Sequence, residues 1–179
     1  MTTPLEWTHQ TSAVTERGVQ EMRHATQDEL TELARTLDIL SCDSLAVSYE
    51  IKPLSGGRFR FSGELEARVT QACVVTLEPV PEKLSERFEI ELVPAPEAEP
   101  EDHRGAADGD LEILSAPDFE VIEDGRIEAG VIIFQLVSAA LEPYPRKKGA
   151  EFDWVDPKIA ADPTVVSPFA ALAKLKPKT

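Results

Sequence analysis

The clearest pattern in the sequence is an alternation of apolar and polar residues over residues 58–79, RFRFSGELEARVTQACVVTLEP. Side chains of an extended chain point to alternate faces, so a period of two predicts a strand with one buried face and one solvated face. The run is longer than a typical strand, and we expect bends at Gly63 and at Gln71-Ala72, because glycine within a strand often marks a bulge. The apolar parity consists of Phe59, Phe61, Gly63, Leu65, Ala67, Val69, Cys73, Val75 and Leu77.

Two further alternating runs flank this strand and predict an antiparallel sheet. Residues 44–52 alternate and are separated from the long strand by a segment that contains Gly56-Gly57, which indicates a hairpin. We expect this run to pair with the first half of the long strand. A third run, over residues 84–92, follows a turn at residues 78–81 and is expected to pair with the second half.

Two other segments predict helices. Thr26 and Glu29 form a capping-box pattern, and the leucines that follow at intervals of three and four predict an amphipathic helix of about 14 residues. Residues 126–141 are strongly apolar and end before Pro143, which predicts a second helix. Short strands are expected at residues 5–7, 111–114 and 119–122, and a turn is expected at Asp124-Gly125.

Together these elements predict the α+β class: an antiparallel, strongly bent sheet or partial barrel with an N-terminal helix and an apolar C-terminal helix packed on it. We expect a single domain over residues 1–166. Within it, residues 95–109 are rich in Pro, Glu and Asp and hold no large apolar side chain, so they are expected to form a mobile acidic loop. Residues 167–179 are expected to form a short helix and tail, because Ser167 and Pro168 match a helix start.

The charge of the chain is strongly negative and unevenly distributed. The chain has 33 acidic and 18 basic residues, for a net charge of -15. Residues 78–128 contain 17 acidic and 4 basic residues, whereas residues 146–179 contain 7 basic and 4 acidic ones. An acidic field disfavours non-specific contact with phosphate backbones and favours basic partners, although an acidic surface also keeps a protein soluble without any binding role.

The sequence contains no pattern typical of an enzyme or of a bound cofactor. His9, His24 and His103 are scattered, and Cys42 and Cys73 do not have the spacing of a metal site. There is no glycine-rich phosphate loop and no nucleophile elbow. We therefore predict a non-enzymatic binding protein without cofactor or catalytic residues. The lack of a long apolar run and of an export signal favours a cytoplasmic protein with reduced cysteines.

Three blocks of sequence, in a fixed order, resemble the motifs of a known family. The first is Cys73-Val74-Val75-Thr76-Leu77-Glu78-Pro79-Val80, followed by Phe88 and residues 92–94. The second is formed by residues 123–127 and by Leu141-Glu142-Pro143-Tyr144-Pro145-Arg146. The third is Ser167-Pro168-Phe169 with Leu172 and Leu175-Lys176. In these blocks the chain is similar to the YceD family, also called large ribosomal RNA subunit accumulation proteins.

The resemblance implies a role in the synthesis, processing or accumulation of large-subunit (23S) ribosomal RNA, with no defined catalytic residues. Many members have a second cysteine three residues after the first, where this chain has Thr76. A zinc- or thiol-dependent factor is therefore an alternative that this chain matches less well, and we interpret Cys73 as a small core residue. The residues of the implied family motif are Cys73, Leu77, Glu78, Pro79, Pro143 and Pro145.

Two partner hypotheses follow from the resemblance and the charge. In the first, a basic ribosomal protein or large-subunit assembly factor binds the acidic region at residues 78–128. In the second, ribosomal RNA is bound directly by the basic C-terminal segment, with Tyr144, Phe152 or Trp154 available for stacking. No membrane partner is expected. The candidate contact residues are Arg146, Lys147, Lys148, Phe169, Leu172 and Leu175.

Overall fold

The computed structural model describes residues 4–95 and 119–151, and these residues confirm the α+β class. The chain divides into two units, Met1–Lys147 and Lys148–Thr179, and the fold described here lies in the first. The predictions made for residues 96–118 and 152–179 fall outside the described residues. They include most of the acidic loop, the strand at residues 111–114 and the C-terminal helix.

The described residues form seven strands and two helices. In chain order these are β1 (His9–Gln10), β2 (Val19–His24), α1 (Gln27–Thr36), β3 (Ser41–Pro53), β4 (Phe59–Ala72), β5 (Pro79–Pro94), β6 (Phe119–Ile122), β7 (Arg126–Ile127) and α2 (Ala129–Ala140). Single 3₁₀ turns lie at Thr11–Ala13 and Ser55–Gly57. Neither of the two described helices is long and apolar enough to cross a membrane.

Five of the strands form one open, mixed sheet in the order β2-β3-β4-β5-β6. The pairs from β2 to β5 are antiparallel, whereas β6 lies parallel to β5. Because β2 and β6 lie at opposite edges, the described strands do not close into a barrel. β1 and β7 form a separate antiparallel pair. The helices contact different strands, α1 lying against β3 and α2 against β5.

The central strand is β4, and both neighbours pair with it along nearly its whole length. β3 pairs with it from Phe59 to Thr70, and β5 pairs with it from Phe59 to Ala72. The prediction that each neighbour covers one half is therefore wrong. The register runs through Gly63 on both sides, so β4 has no bulge at this residue, and the irregularity in its pairing with β3 lies between Cys42 and Ser44.

The alternation in β4 produces the core as expected. Phe61 and Leu65 are fully buried, and Ser62 and Glu64 between them point to the other face. Tyr49 of β3 lies edge-on to Phe61 with ring centroids 5.2 Å apart, and Phe88 of β5 lies on the other side at 5.0 Å. Such aromatic contacts stabilise beyond the burial of apolar area. The aromatic row therefore joins the three longest strands.

Helix α1 begins as the capping box predicts and ends earlier than expected. The Thr26 hydroxyl accepts a hydrogen bond from the Glu29 backbone N–H at 3.3 Å, and the Glu29 carboxylate accepts one from the Thr26 N–H at 2.7 Å. The helix ends at Thr36, and Asp38 adopts a left-handed conformation with φ 54°. A residue in this conformation terminates a helix. The pattern places Leu40 on the buried face of the helix, but the residue lies beyond the end of the helix and is 55% exposed.

Helix α2 begins at Ala129 rather than at residue 126, because Arg126 and Ile127 pair with β1 as strand β7. The turn expected at Asp124-Gly125 is confirmed, and both residues have positive φ. Two central residues of this kind are typical of a tight hairpin turn. The predicted strand at residues 119–122 is confirmed as β6.

The N-terminal segment passes against α2 and contributes to the core. The strand expected at residues 5–7 lies instead at His9–Gln10, but Leu5 and Trp7 are buried. The backbone N–H of Gly130 donates to the Trp7 carbonyl at 2.8 Å. A Cβ at Gly130 would collide with the Leu5 carbonyl, so the close approach of segment and helix requires glycine here.

A polar network at the edge of the core explains the position of His9. Arg23 donates to the Glu21 carboxylate at 2.6 Å, and the Tyr49 hydroxyl donates to the same carboxylate at 3.0 Å. The His9 Nε2 atom lies 2.8 Å from that hydroxyl and can therefore only donate to it. Burial lowers the pKa of His9, which favours this neutral donor form.

We predict that Gly63→Ala destabilises the fold by about 2 kcal/mol or more, because overpacking a close-packed site is costly. A Cβ at Gly63 would lie 2.8 Å from the Tyr49 Cα and would collide with the Ser48 carbonyl oxygen. Both are backbone atoms, so β3 and β4 would have to separate. Urea unfolding would measure the loss. Ser62→Ala, next to it on the opposite face, is the control and should change stability by less than about 0.5 kcal/mol; equal values for the two variants would contradict the prediction.

Candidate functional site

The loop between β4 and β5 contains most of the first sequence block. It comprises residues 73–78, because Ala72 pairs with Pro79. The Cys73 N–H donates to the Glu78 carbonyl at 2.8 Å, and the Leu77 N–H donates to the Cys73 carbonyl at 2.9 Å. Leu77 has φ 60°, a left-handed conformation that a bulky side chain rarely adopts. The loop is therefore hydrogen-bonded and locally strained.

Residues 142–147, which follow α2, lie against this loop, and we call the two segments the paired loops. The Val74 N–H donates to the Pro145 carbonyl at 2.9 Å. Lys147 is joined to the first segment twice. Its backbone N–H points at the Cys73 sulfur at 3.4 Å, and its Nζ lies 2.8 Å from the Glu78 carboxylate. Segments about 70 positions apart in sequence therefore form one unit.

The Cys73 side chain lies between the paired loops and has no exposed surface. The backbone N–H groups of Val75 and Lys147 both point at its sulfur at 3.4 Å. The Lys147 N–H, followed by the Thr76 hydroxyl, lowers the pKa of the Cys73 thiol to about 6, and removal from water acts against this shift. Hydrogen bonds that point at a sulfur stabilise its thiolate.

The thiol pKa of Cys42 is shifted in the opposite direction. This cysteine is buried in the core, and burial raises the pKa of its thiol to about 11. The interpretation of Cys73 as a small buried residue agrees with its burial, but its surroundings differ from those of an ordinary core cysteine. With no exposed surface, its sulfur is not presented to a substrate in this conformation.

Thr76 stands where the resemblance implies a second cysteine, and it contributes hydrogen bonds instead. Its Oγ1 accepts from the Glu78 N–H at 3.5 Å. The Lys147 ammonium, followed by the Thr76 hydroxyl, lowers the pKa of Glu78. Within residues 4–95 and 119–151, no group of three or more His, Cys, Asp or Glu side chains is placed to hold a metal ion.

The outer surface of the paired loops is apolar in part. Leu77 is 76% exposed, Tyr144 is 72% exposed and Val74 is 47% exposed. Pro143 is also exposed, whereas Pro145 is buried. Exposed apolar side chains that occur singly are normal, but a group of them on two hydrogen-bonded loops is typical of a contact surface.

The structure brings together many of the residues singled out from the sequence. Those within or beside the paired loops are Cys73, Leu77, Glu78, Pro79, Pro143, Pro145, Arg146 and Lys147. Lys148 belongs to the second unit, and the Lys147 ammonium pairs with Glu78. Phe169, Leu172 and Leu175 fall outside the described residues.

Sequence reasoning missed one contact. The Gln71 side-chain amide donates to the Glu142 carbonyl at 3.1 Å, and the Gln71 Oε1 atom is buried without a hydrogen-bond partner among the described residues. The sequence predicts only a bend at Gln71. A polar residue at the end of an alternating strand is the one available signal, and it does not identify Glu142 as the partner.

No family model, curated protein or solved structure matches this chain. The interpretation of the paired loops therefore rests on their geometry and on the sequence blocks that form them.

We predict that Cys73 makes stability depend on pH between about 6 and 9. The folded-state pKa of about 6 lies below the ordinary value of 9.0 for a cysteine thiol, so the thiolate favours the folded state. Its stabilising contribution is absent below pH 6, grows as pH rises and is complete above pH 9. Urea unfolding at several pH values should show that the wild type gains stability over Cys73→Ser as the pH rises through this range. The quantity compared is the free energy of unfolding.

Cys42→Ser is the matched control for this experiment. Burial raises the pKa of Cys42 to about 11 in the folded protein. Its thiol therefore stays protonated in the folded and the unfolded protein until the pH approaches the thiol pKa of the unfolded chain. The difference in the free energy of unfolding between Cys42→Ser and the wild type should stay constant from pH 6 to pH 8. Parallel profiles for the wild type and Cys73→Ser would show that Cys73 does not ionise preferentially in the folded protein.

Proposed function

We propose that this protein is a non-enzymatic factor that supports the synthesis, processing or accumulation of large-subunit ribosomal RNA, as the resemblance to the YceD family implies. It acts by binding a basic ribosomal protein or assembly factor. The observation that supports this most directly is the contact between the paired loops. Residues 73–78 and 142–146 belong to two separate blocks of the resemblance, and the Val74 N–H donates to the Pro145 carbonyl at 2.9 Å. Lys147, which follows the second block directly, adds contacts to Cys73 and Glu78.

Proximity of the two blocks supports a shared role. Residues that only shape the core need not meet on the surface, whereas residues that bind one partner must. Leu77 and Tyr144 are both largely exposed, although Leu77 is held in a strained conformation. Strain of this kind persists where the surrounding structure enforces it, and it is concentrated at functional sites. The strained, outward-pointing leucine is therefore the first candidate contact for the partner.

The distribution of charge supports a basic partner. Part of the acidic region is neutralised by ion pairs, which join Glu78 to Lys147, Glu89 to Arg60, Glu91 to Arg58 and Glu128 to Arg126. The other described carboxylates of this region belong to Glu82, Glu86, Glu120, Glu123 and Asp124. With a net charge of -15, the protein attracts cationic surfaces over the Debye length, which is about 10 Å.

A second candidate is direct binding of RNA. Tyr144 is exposed and is close in sequence to Arg146, an arrangement that suits base stacking beside a phosphate contact. Against it, the Lys147 ammonium is already paired with Glu78 at 2.8 Å. The zinc- or thiol-dependent alternative has one observation in its favour, the lowered pKa of Cys73.

An affinity pull-down from ribosome-containing lysate, with and without ribonuclease, separates the two partner hypotheses. We expect a basic large-subunit protein or assembly factor to be recovered in both conditions, because the contact is between proteins. Arg146→Ala should leave this recovery unchanged. Recovery that disappears with ribonuclease and with Arg146→Ala would favour direct RNA binding instead.

Leu77→Gly separates stability from binding. Glycine adopts positive φ without strain, so the variant should be as stable as the wild type or more stable by up to about 1 kcal/mol. It also removes the exposed apolar side chain, so we expect partner recovery in the pull-down to fall at least about fivefold, as for loss of an interface contact.

Asp38→Gly is the matched control for this variant. Asp38 also has positive φ, with a value of 54°, and it lies in the turn after α1. The Asp38→Gly variant should keep full partner recovery, and its gain in stability should be similar to or smaller than that of Leu77→Gly. Equal recovery for Leu77→Gly and the wild type would exclude Leu77 as a contact.

A further inference from the structure

A cleft of about 420 Å³ lies between β6, β7 and the first turns of α2. Six of the eleven residues that line it are apolar. The buried side chains that line it are Leu92, Ile122, Ile127 and Ile132, and the partly exposed Val121 and Val131 complete its apolar part. The cleft does not include the paired loops and is separate from the site described above.

Charged residues form the rest of the lining. The lining includes the carboxylates of Glu120, Glu123, Asp124 and Glu128, and a single cation, Arg126. The Arg126 guanidinium pairs with Glu128 at 2.9 Å. None of the ion pairs formed between described residues involves Glu120, Glu123 or Asp124. The cleft therefore has an excess of negative charge.

The backbone that presents these carboxylates is firmly held. Glu123 and Arg126 close the turn, with the Arg126 N–H donating to the Glu123 carbonyl at 2.9 Å. The Thr11 N–H donates to the Gly125 carbonyl at 2.9 Å and joins the turn to the N-terminal segment. A preorganised site loses less conformational entropy when it binds.

Resting on the function proposed above, we propose that this cleft is the docking site for lysine or arginine side chains of the basic protein partner. These side chains combine a methylene stem with a terminal cation, and they lay the stem along apolar surface while the charge remains at the rim. The apolar lining fits the stem, and the carboxylates of Glu120, Glu123 and Asp124 fit the cation. The same charges disfavour phosphate groups. Because no three ligands converge on a metal position in the described part of the chain, a bare divalent ion fits less well.

The first experiment measures the affinity of fluorescein-labelled hexalysine for the full-length protein by fluorescence anisotropy. The double variant Glu120→Gln with Glu123→Gln removes two cleft charges and keeps the side-chain shapes. We expect it to weaken binding about tenfold, roughly the effect of two partly desolvated ion pairs. The matched control is Glu82→Gln with Glu86→Gln, which changes the net charge equally at positions on β5 and should weaken binding less than about twofold.

Equal weakening by the two double variants would overturn the proposal, because hexalysine would then be sensing only the overall field. No weakening by either would overturn it as well. A second readout uses isoleucine methyl signals in the nuclear magnetic resonance spectrum. Hexalysine should shift the signals of Ile122, Ile127 and Ile132 and leave that of the core residue Ile51 unchanged; the reverse pattern would contradict a cleft site.

The pull-down separates this inference from the proposed function. If the Glu120→Gln, Glu123→Gln variant loses the ribosomal partner and the Glu82→Gln, Glu86→Gln control keeps it, the result supports both the cleft as docking site and the proposed function. Retention of that partner together with weaker hexalysine binding overturns the cleft as the docking site and leaves the proposed function standing. Cleft-specific hexalysine binding without any ribosomal partner leaves the cleft standing and contradicts the proposed function.

Sedimentation equilibrium tests whether a second copy of the chain occupies the cleft. A dimer that the cleft variant dissociates would overturn the proposal.

Discussion

The register of β4 between β3 and β5 is the constraint on which the rest of the structure depends. Because side chains alternate, a slip of one residue would move Phe61 and Leu65 to the solvated face and bring charged residues into the core. Pairing along nearly the whole length of β4 makes such a slip costly on both sides. It also fixes where the two connecting loops lie, and the second of these contains Cys73.

The central strand and the start of α1 could be predicted because they depend on local signals. The alternation around Phe61 reports which face is buried, and the pair Thr26 and Glu29 closes a hydrogen-bonded box within one turn of chain. The extent of strand pairing could not be predicted, since the period of a strand says nothing about the length of its partner. The sequence predicts a helix at Arg126 for a similar reason: the strand conformation of this residue depends on pairing with Gln10, which is far away in sequence.

The paired loops illustrate the same limit at the candidate site. Cys73 and Lys147 were both singled out from the sequence, but as parts of different features, a motif and a basic cluster. Their contact depends on where α2 ends and on the direction that the chain takes after it. Lys147 uses its backbone for the sulfur and its side chain for Glu78, so a residue that looks like a free cation in the sequence acts as a connection between loops.

The parallel pairing of β6 with β5 has a consequence for the acidic stretch between them. An antiparallel neighbour can be joined by a tight turn, whereas a parallel one requires the chain to travel back, usually over a dozen residues or more. The connection between Pro94 and Phe119 is therefore long for a topological reason. Doubling the length of such a connection costs only about 0.6 kcal/mol, so the strand order tolerates large changes in it. Topology thus explains the length of this stretch but not its composition, and selection for charge can act on it without disturbing the sheet.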